Sequence, residues 1–244
     1  MPYIAKAYKR YQFRSGATLV RGRTPDFPTR LMKLVKPDFA VLDLGCGSGE
    51  LALRLAPLCR RITGVDVYRD YIRTAKQDRI RLKIKNASFR VADAAKLPFK
   101  AKTFDLIYSS RGPLSAGPEF MREAKRVLKP GGLLAEETIG EQDKIKLKKI
   151  FGRGQNYPIR ESKLGYVRSL LTRYGFRLLW SEYYLYYQRF AAFREVLRIL
   201  LRTPIIPEFS QTKDKVYLDK IKRQDKGRGI ILGAHRLLWT AKLK

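Results

Sequence analysis

One short segment constrains the fold more than any other. Asp43-Leu44-Gly45-Cys46-Gly47-Ser48-Gly49 is a glycine-dense turn between two apolar runs. The run before it, FAVLDLG, is short, apolar and ends at glycine, the pattern of a buried strand. The run after it, GELALRLAPL, carries apolar residues at helical spacing, and Pro57 limits its length. Glycines allow the sharp turn and let a ligand approach the backbone. The helix start then directs its free N–H groups at that ligand. Strand, glycine turn and helix form one ligand-binding unit only in this order, which is the order present here.

Strands and helices then alternate. RITGVDV reads as a second strand, YRDYIRTAKQDRIRLK as a helix, SFRVADA as a third strand and TFDLIYSS as a fourth. PEFMREAKRVLK is an amphipathic helix stopped by Pro130, Gly131 and Gly132, and GLLAEETI is a fifth strand. Such alternation predicts a parallel sheet covered on both faces. After Gly140 the pattern loosens. Asp143 to Phe151 is a lysine-rich helix or loop, KLGYVRSLLTRYG is a helix closed by Gly175, and FRLLWSEYYLYYQRF is strand-rich. FREVLRILLR and VYLDKIKRQDKG are two further helices, and GIILGAHRLLWTAKL closes the chain as a strand. The expected organisation is one domain over residues 1–244. It has a basic aromatic arm at 1–36, a ligand-binding core at 37–140, and a substrate-side half at 141–244 with a helical insertion at about 191–228.

The ligand class follows from the acids around the turn. A dinucleotide fingerprint needs G-x-G-x-x-G, and here Glu50 follows Gly49. A carboxylate at that helix start repels pyrophosphate and favours a ligand that carries positive charge. Asp66 ends GVDV, about 20 residues past the glycines, where a carboxylate meets ribose hydroxyls. Asp93 and Ala94 end the third strand. All of these residues fall at the carboxyl edge of the predicted sheet, where open α/β folds bind ligands. Asp43 and Asp93 also have a plainer reading, as caps of a helix or turn.

The ordered set resembles the class I methyltransferases that use S-adenosylmethionine (SAM). VLDLGCGSG is similar to their first motif, GVDV to the second and VADAAKLPF to the third, followed by FDLIYSS and VLKPGG. The resemblance covers residues 39–137. It implies an open, doubly wound, mostly parallel α/β sheet of seven strands with the last strand reversed. It also implies SAM as cofactor, with Asp43, Gly45 and Gly47 beside its methionine part and Asp66 on the ribose. Asp93 and Ala94 would face the adenine, Val67 or Tyr68 would pack on it, and Ser109 completes the expected cofactor set.

Methyl transfer needs alignment and exclusion of water more than acid–base groups, because the sulfonium is already activated. The loop Ser109-Ser110-Arg111-Gly112-Pro113-Leu114-Ser115 is the expected acceptor side, with Ser110, Arg111 and Pro113 as candidate catalytic residues. It lacks the Pro-Pro-aromatic sequence found in many enzymes that methylate base amines. The plain alternative is an ordinary polar loop.

Charge points to a partner. With 52 Lys+Arg against 22 Asp+Glu, the formal net charge is +30 at pH 7. Such an excess strains a compact fold through self-repulsion and suits polyphosphates. Two basic zones are candidate RNA contacts. One is the arm, through Tyr8, Arg10, Tyr11 and Arg14. The other joins Lys146, Lys148 and Lys149 to Arg153. The tyrosines at 183, 184, 186 and 187 alternate and are expected to split between core and surface. One histidine, His235, with Cys46 and Cys59 makes a metal site unexpected. The thiols are expected reduced, with a disulfide as the alternative. No apolar stretch spans a bilayer or serves as a leader, so a cytoplasmic location is expected; a monomer is taken as the simplest state, with nothing in the sequence to fix it.

The first expectation is therefore methylation of a base nitrogen in RNA. Ribosomal RNA, with a ribosomal subunit as partner, is favoured over transfer RNA, and a cytosine amine is the suggested target. The alternative is a small-molecule or lipid methyltransferase whose basic surface reflects heat adaptation, in keeping with only two asparagines, Asn86 and Asn156. A non-enzymatic RNA-binding protein is the third reading.

Overall fold

The computed structural model describes residues 16–225 and 227–244. The strands are β1 (Thr18–Arg21), β2 (Ala40–Leu44), β3 (Arg61–Asp66), β4 (Ala87–Val91), β5 (Phe104–Ser110), β6 (Leu128–Ile139), β7 (Phe176–Phe190) and β8 (Ile230–Leu243). The helices are α1 (Phe27–Leu34), α2 (Glu50–Leu55), α3 (Arg69–Arg81), α4 (Pro118–Val127), α5 (Ile145–Phe151), α6 (Lys163–Arg173), α7 (Phe193–Arg202) and α8 (Lys215–Lys222). The sheet order is β1-β7-β8-β6-β5-β2-β3-β4. That makes eight strands where seven were expected. The difference is β1, a four-residue edge strand paired antiparallel to β7.

Backbone contacts divide the chain into two compact units. The larger, the core unit, comprises Pro25–Ile139, Lys163–Glu182 and Leu237–Lys244. Its central strand, β2, is buried at all five positions, as a strand covered on both faces must be. β2 pairs parallel to β3 and β5, β3 to β4, and β5 to β6. Local chemistry starts the helices where they stand. Asp26 accepts the Thr29 N–H at 3.1 Å to cap α1, and prolines occupy the first turns of α1 and α4. The end of β8 runs antiparallel to its neighbours: Lys244 N–H donates to the Gly175 carbonyl just before β7, and Trp239 meets Glu136 of β6. This is the reversed last strand.

The second unit comprises, among the described residues, those up to Thr24, Gly140–Ser162 and Tyr183–Arg236. Its own apolar core includes Leu147 and Phe151 of α5, Val196 and Leu200 of α7, Ile221 of α8 and Ile230 of β8. The two helices read as an insertion thus pack with the lysine-rich segment, which is helical from Ile145. Tyr184 and Tyr186 are buried while Leu185 is exposed, so β7 alternates here. Among the described residues no helix is long and apolar enough to cross a membrane.

Candidate cofactor and acceptor site

The glycine turn closes the carboxyl end of β2. Gly45 and Cys46 both donate to the Val65 carbonyl at 2.9 Å, which locks the turn to β3. Gly47 and Gly49 need to be glycine for different reasons. Both have positive φ, 53° and 79°. A β-carbon at Gly49 would lie 2.7 Å from the Phe89 ring and 2.9 Å from Ala75, so that residue seats α2 on the core. A β-carbon at Gly47 would meet nothing within 4 Å, so its side of the turn is open.

Asp66, at the end of β3, shapes that open side. Its Oδ2 accepts the Gly47 N–H at 2.9 Å and its Oδ1 accepts the Tyr68 N–H at 3.0 Å. Burial raises its pKa, and those backbone bonds pull against the rise. Asp43 lies beneath the turn at 3% exposure and accepts the Tyr108 hydroxyl at 2.8 Å. Burial pushes its pKa up to about 7, against the Tyr108 bond. Val67, next to the half-buried Asp66, is 50% exposed. Asp93 lies two residues past β4 and accepts the Ala95 N–H at 2.8 Å, and Ala94 is buried. The turn-capping reading of Asp93 thus holds, whatever else it does.

The loop after β5 packs directly on the turn. A β-carbon on Gly45 would meet Pro113 Cδ at 3.0 Å. Ser110 Oγ donates to Glu137 Oε2 at 3.2 Å, and the Arg111 N–H donates to the Glu137 carbonyl at 2.7 Å. Ser110, Arg111 and Pro113 therefore share one end of the sheet with Gly45 and Gly47. Ser109 does not join them. It is fully buried and donates to the Leu44 carbonyl at 2.7 Å, so it ties β5 to β2 and has no surface to offer a cofactor.

Several residues here went unread in the sequence. Gly112 has to be glycine, since a β-carbon would lie 2.6 Å from the Leu44 carbonyl and collide with Ser109 Oγ. Glu136 is fully buried and accepts the Ser115 N–H at 3.1 Å and the Trp239 indole N–H at 3.0 Å. Lys163 Nζ donates to the Ser115 carbonyl at 2.7 Å, closing the far end of the loop. Two adjacent acids, Glu136 and Glu137, ending an apolar strand were the available signal.

The basic zones fare differently. Tyr8, Arg10, Tyr11 and Arg14 lie outside the described residues. Lys146 and Lys149 are exposed. Lys148 is 2% exposed, which removes it from any surface that tracks a polyphosphate, because α5 turns it inward with Leu147 and Phe151. Arg153 is held by a two-pronged pair with Asp214, at 2.9 Å to each carboxylate oxygen. Cys46 and Cys59 are free thiols, and no cluster of metal-ligating side chains occurs among the described residues.

An open glycine turn with Asp66 beside it and Glu50 at the start of α2 fits a cationic sulfonium better than a pyrophosphate. Comparison with known proteins agrees. A family model described as a methyltransferase domain matches residues 35–185, more than half of the chain. The chain is 32% identical over 177 residues to a 2-phytyl-1,4-naphtoquinone methyltransferase from Nostoc sp., covering 68% of this chain and 72% of that one. It is 35% identical over 102 residues to a ubiquinone/menaquinone biosynthesis C-methyltransferase from Rickettsia felis, covering 38% of this chain and 41% of that one. Five other curated relatives match over only 23% to 50% of their own length. A solved SAM-dependent methyltransferase from Methanosarcina mazei superposes with a TM-score of 0.58 at 19% identity, over 91% of this chain and 99% of that one, a likeness of fold. The chain belongs to the methyltransferase-domain family, the SAM-dependent methyltransferases of the class I, Rossmann-like fold.

Proposed function

We propose that the protein transfers a methyl group from SAM to a small organic acceptor of the quinone or phenol class. The observation that carries this reading is the match over 68% of the chain to a relative named for a naphtoquinone. It favours the small-molecule alternative over the RNA reading that the charge suggested. The acceptor loop, which lacks the Pro-Pro-aromatic sequence, is consistent with a target other than a base amine.

Bound SAM supplies an electrophilic methyl group on a sulfonium. The chain would hold it through Asp66 at the ribose, the backbone of Gly45 and Gly47 at the methionine part, and Val67, Asp93 and Ala94 around the adenine. Asp43 supports the turn from below. Ser110, Arg111 and Pro113 orient the acceptor. An acceptor of this class reacts in its reduced form, through a ring carbon or oxygen made electron-rich as a hydroxyl proton leaves. The Arg111 guanidinium, always protonated, suits the resulting oxyanion. The acceptor gains a methyl group and loses one proton. Closure against water does the rest, since the methyl donor is already activated.

The test uses purified protein, radiolabelled SAM and two acceptors in parallel: a reduced prenylated naphthoquinone in detergent, and total RNA. Label in the organic extract is the expected result. Label in RNA with none in the extract overturns it. The RNA reading keeps one observation in its favour, the net charge of +30. If it holds, transfer should fall steeply between 50 and 200 mM salt, by roughly the ~10³ typical of several phosphate contacts.

A further inference from the structure

The strands of the second unit show two unlike faces. Along β8, Ile230 and Leu232 are buried in that unit's apolar core, while Ile231 between them is 40% exposed. Along β7, Tyr184 and Tyr186 are buried, while Leu185 between them is 42% exposed. Alternation puts Ile231, Gly233 and His235 on one face of β8, and Tyr183, Leu185 and Tyr187 on one face of β7. Contacts show that these are the same face of the sheet. The Tyr183 ring stacks on His235 with centroids 4.6 Å apart. A β-carbon on Gly233 would lie 3.7 Å from the Tyr187 ring and 3.9 Å from Leu185 Cδ1, with nothing nearer. The next step along both strands brings Ile231 beside Tyr187. Gly233 is thus an open floor among Leu185, Tyr187 and Ile231.

The rim of this apolar face is cationic. The Arg21 guanidinium of β1 stands 4.5 Å over the Tyr187 ring. Arg189 is exposed and donates to the carbonyl of Arg228, also exposed, at 3.3 Å. Asp225, an acid just before this turn, accepts the Phe193 and Gly229 N–H groups. β1, at the sheet edge, adds the exposed Leu19 and Val20. Scattered apolar side chains on a surface are ordinary, but contiguous ones mark a contact surface. A second copy of the chain would bring the same arginines and a further +30 of charge to that surface. Single-stranded RNA would suit the arginines, but its bases stack on flat rings. One side of each ring here is taken, Tyr187 by Arg21 and Tyr183 by His235. Leu185 and Ile231 offer a polyphosphate nothing. A bilayer with anionic headgroups uses both parts. Aliphatic side chains enter the acyl boundary, while arginines and a tyrosine hydroxyl stay at headgroup level.

We propose that this face of the second unit, built on Leu185, Tyr187 and Ile231 with Arg21 and Arg189 at its rim, docks on an anionic lipid bilayer. The net charge of +30 draws the chain to the surface, and the aliphatic pair selects the face that meets it. The docking goes beyond the acceptor reading above and is tested without an acceptor, so each can fail alone.

Sedimentation of the whole chain with vesicles tests the surface. Binding is expected to equimolar phosphatidylcholine and phosphatidylglycerol, and not to phosphatidylcholine alone. Leu185→Asn with Ile231→Asn leaves every charge in place and should weaken vesicle binding at least ~10-fold, less than full burial of two aliphatic side chains contributes. Ile80→Asn with Leu82→Asn removes a similar exposed pair from the end of α3 in the core unit and should leave binding unchanged. No binding by the native chain, no loss in the first variant, or equal losses in both overturns the proposal. If the first variant loses affinity for single-stranded RNA and keeps its vesicle binding, the face belongs to RNA and the proposal falls. Should that variant fail to fold, Ile231→Trp decides. Lipids with brominated acyl chains should quench its fluorescence beyond that of the native chain, and equal quenching overturns the docking.

Discussion

Replacing Asp43 by asparagine should stabilise the protein above neutral pH. Asp43 is 3% exposed, and burial is the main force that raises its pKa from 3.8 to about 7. The Tyr108 hydroxyl opposes that rise and Asp66 adds to it. In the unfolded chain the carboxyl ionises near its ordinary value, about 4. Between those two values the folded protein keeps a proton that the unfolded chain has released. Stability from this group is therefore complete below about pH 4, declines as pH rises through about 7, and is flat beyond. The span is about three pH units at ~1.4 kcal/mol each, a penalty on the order of 4 kcal/mol at pH 8. Asparagine has nearly the same shape, keeps an acceptor for Tyr108, and has no charge to desolvate. Urea unfolding of both proteins from pH 4 to 8 measures the difference. It should be near zero at pH 4 and grow to several kcal/mol in favour of Asp43→Asn by pH 8. A difference that does not change with pH would refute the assignment of a desolvated carboxylate beneath the turn.

Other substitutions probe the same site. Asp66→Ala removes the acceptor of the Gly47 and Tyr68 N–H groups and the proposed ribose contact. SAM affinity, read by calorimetry, should fall at least ~10-fold with the fold retained by circular dichroism, at about 1.5–3 kcal/mol per hydrogen bond to a charged group. Unchanged affinity would remove Asp66 from the cofactor site. Trp239→Phe strips one donor from the fully buried Glu136, and should cost about 1–3 kcal/mol of stability in urea. A neutral result would mean that Ser115 alone satisfies that acid.

The motifs were legible because they are local. A turn that needs positive φ at several positions demands glycine within a window of seven residues, and Gly45, Gly47 and Gly49 supply it. Parallel strands need crossover helices, so the alternation from Phe39 to Glu137 prefigured the sheet. The reversed last strand came from family resemblance, and the extra strand β1 escaped because four exposed residues carry no pattern.

What the sequence alone determined is thus the half proposed to hold the cofactor: the strand, the glycine turn and the acid at the end of β3. What only the tertiary structure decided is which polar side chains are free to act. Ser109, Lys148 and Arg153 all read as polar and available. Folding buried the first against Leu44, turned the second inward and gave the third to Asp214. Those outcomes depend on partners distant in the chain, 65 residues for Ser109 and Leu44 and 61 for Arg153 and Asp214. Backbone preferences act over one turn or one strand. The cost of burying a charge or a hydrogen-bonding group is set by whatever the rest of the chain brings beside it.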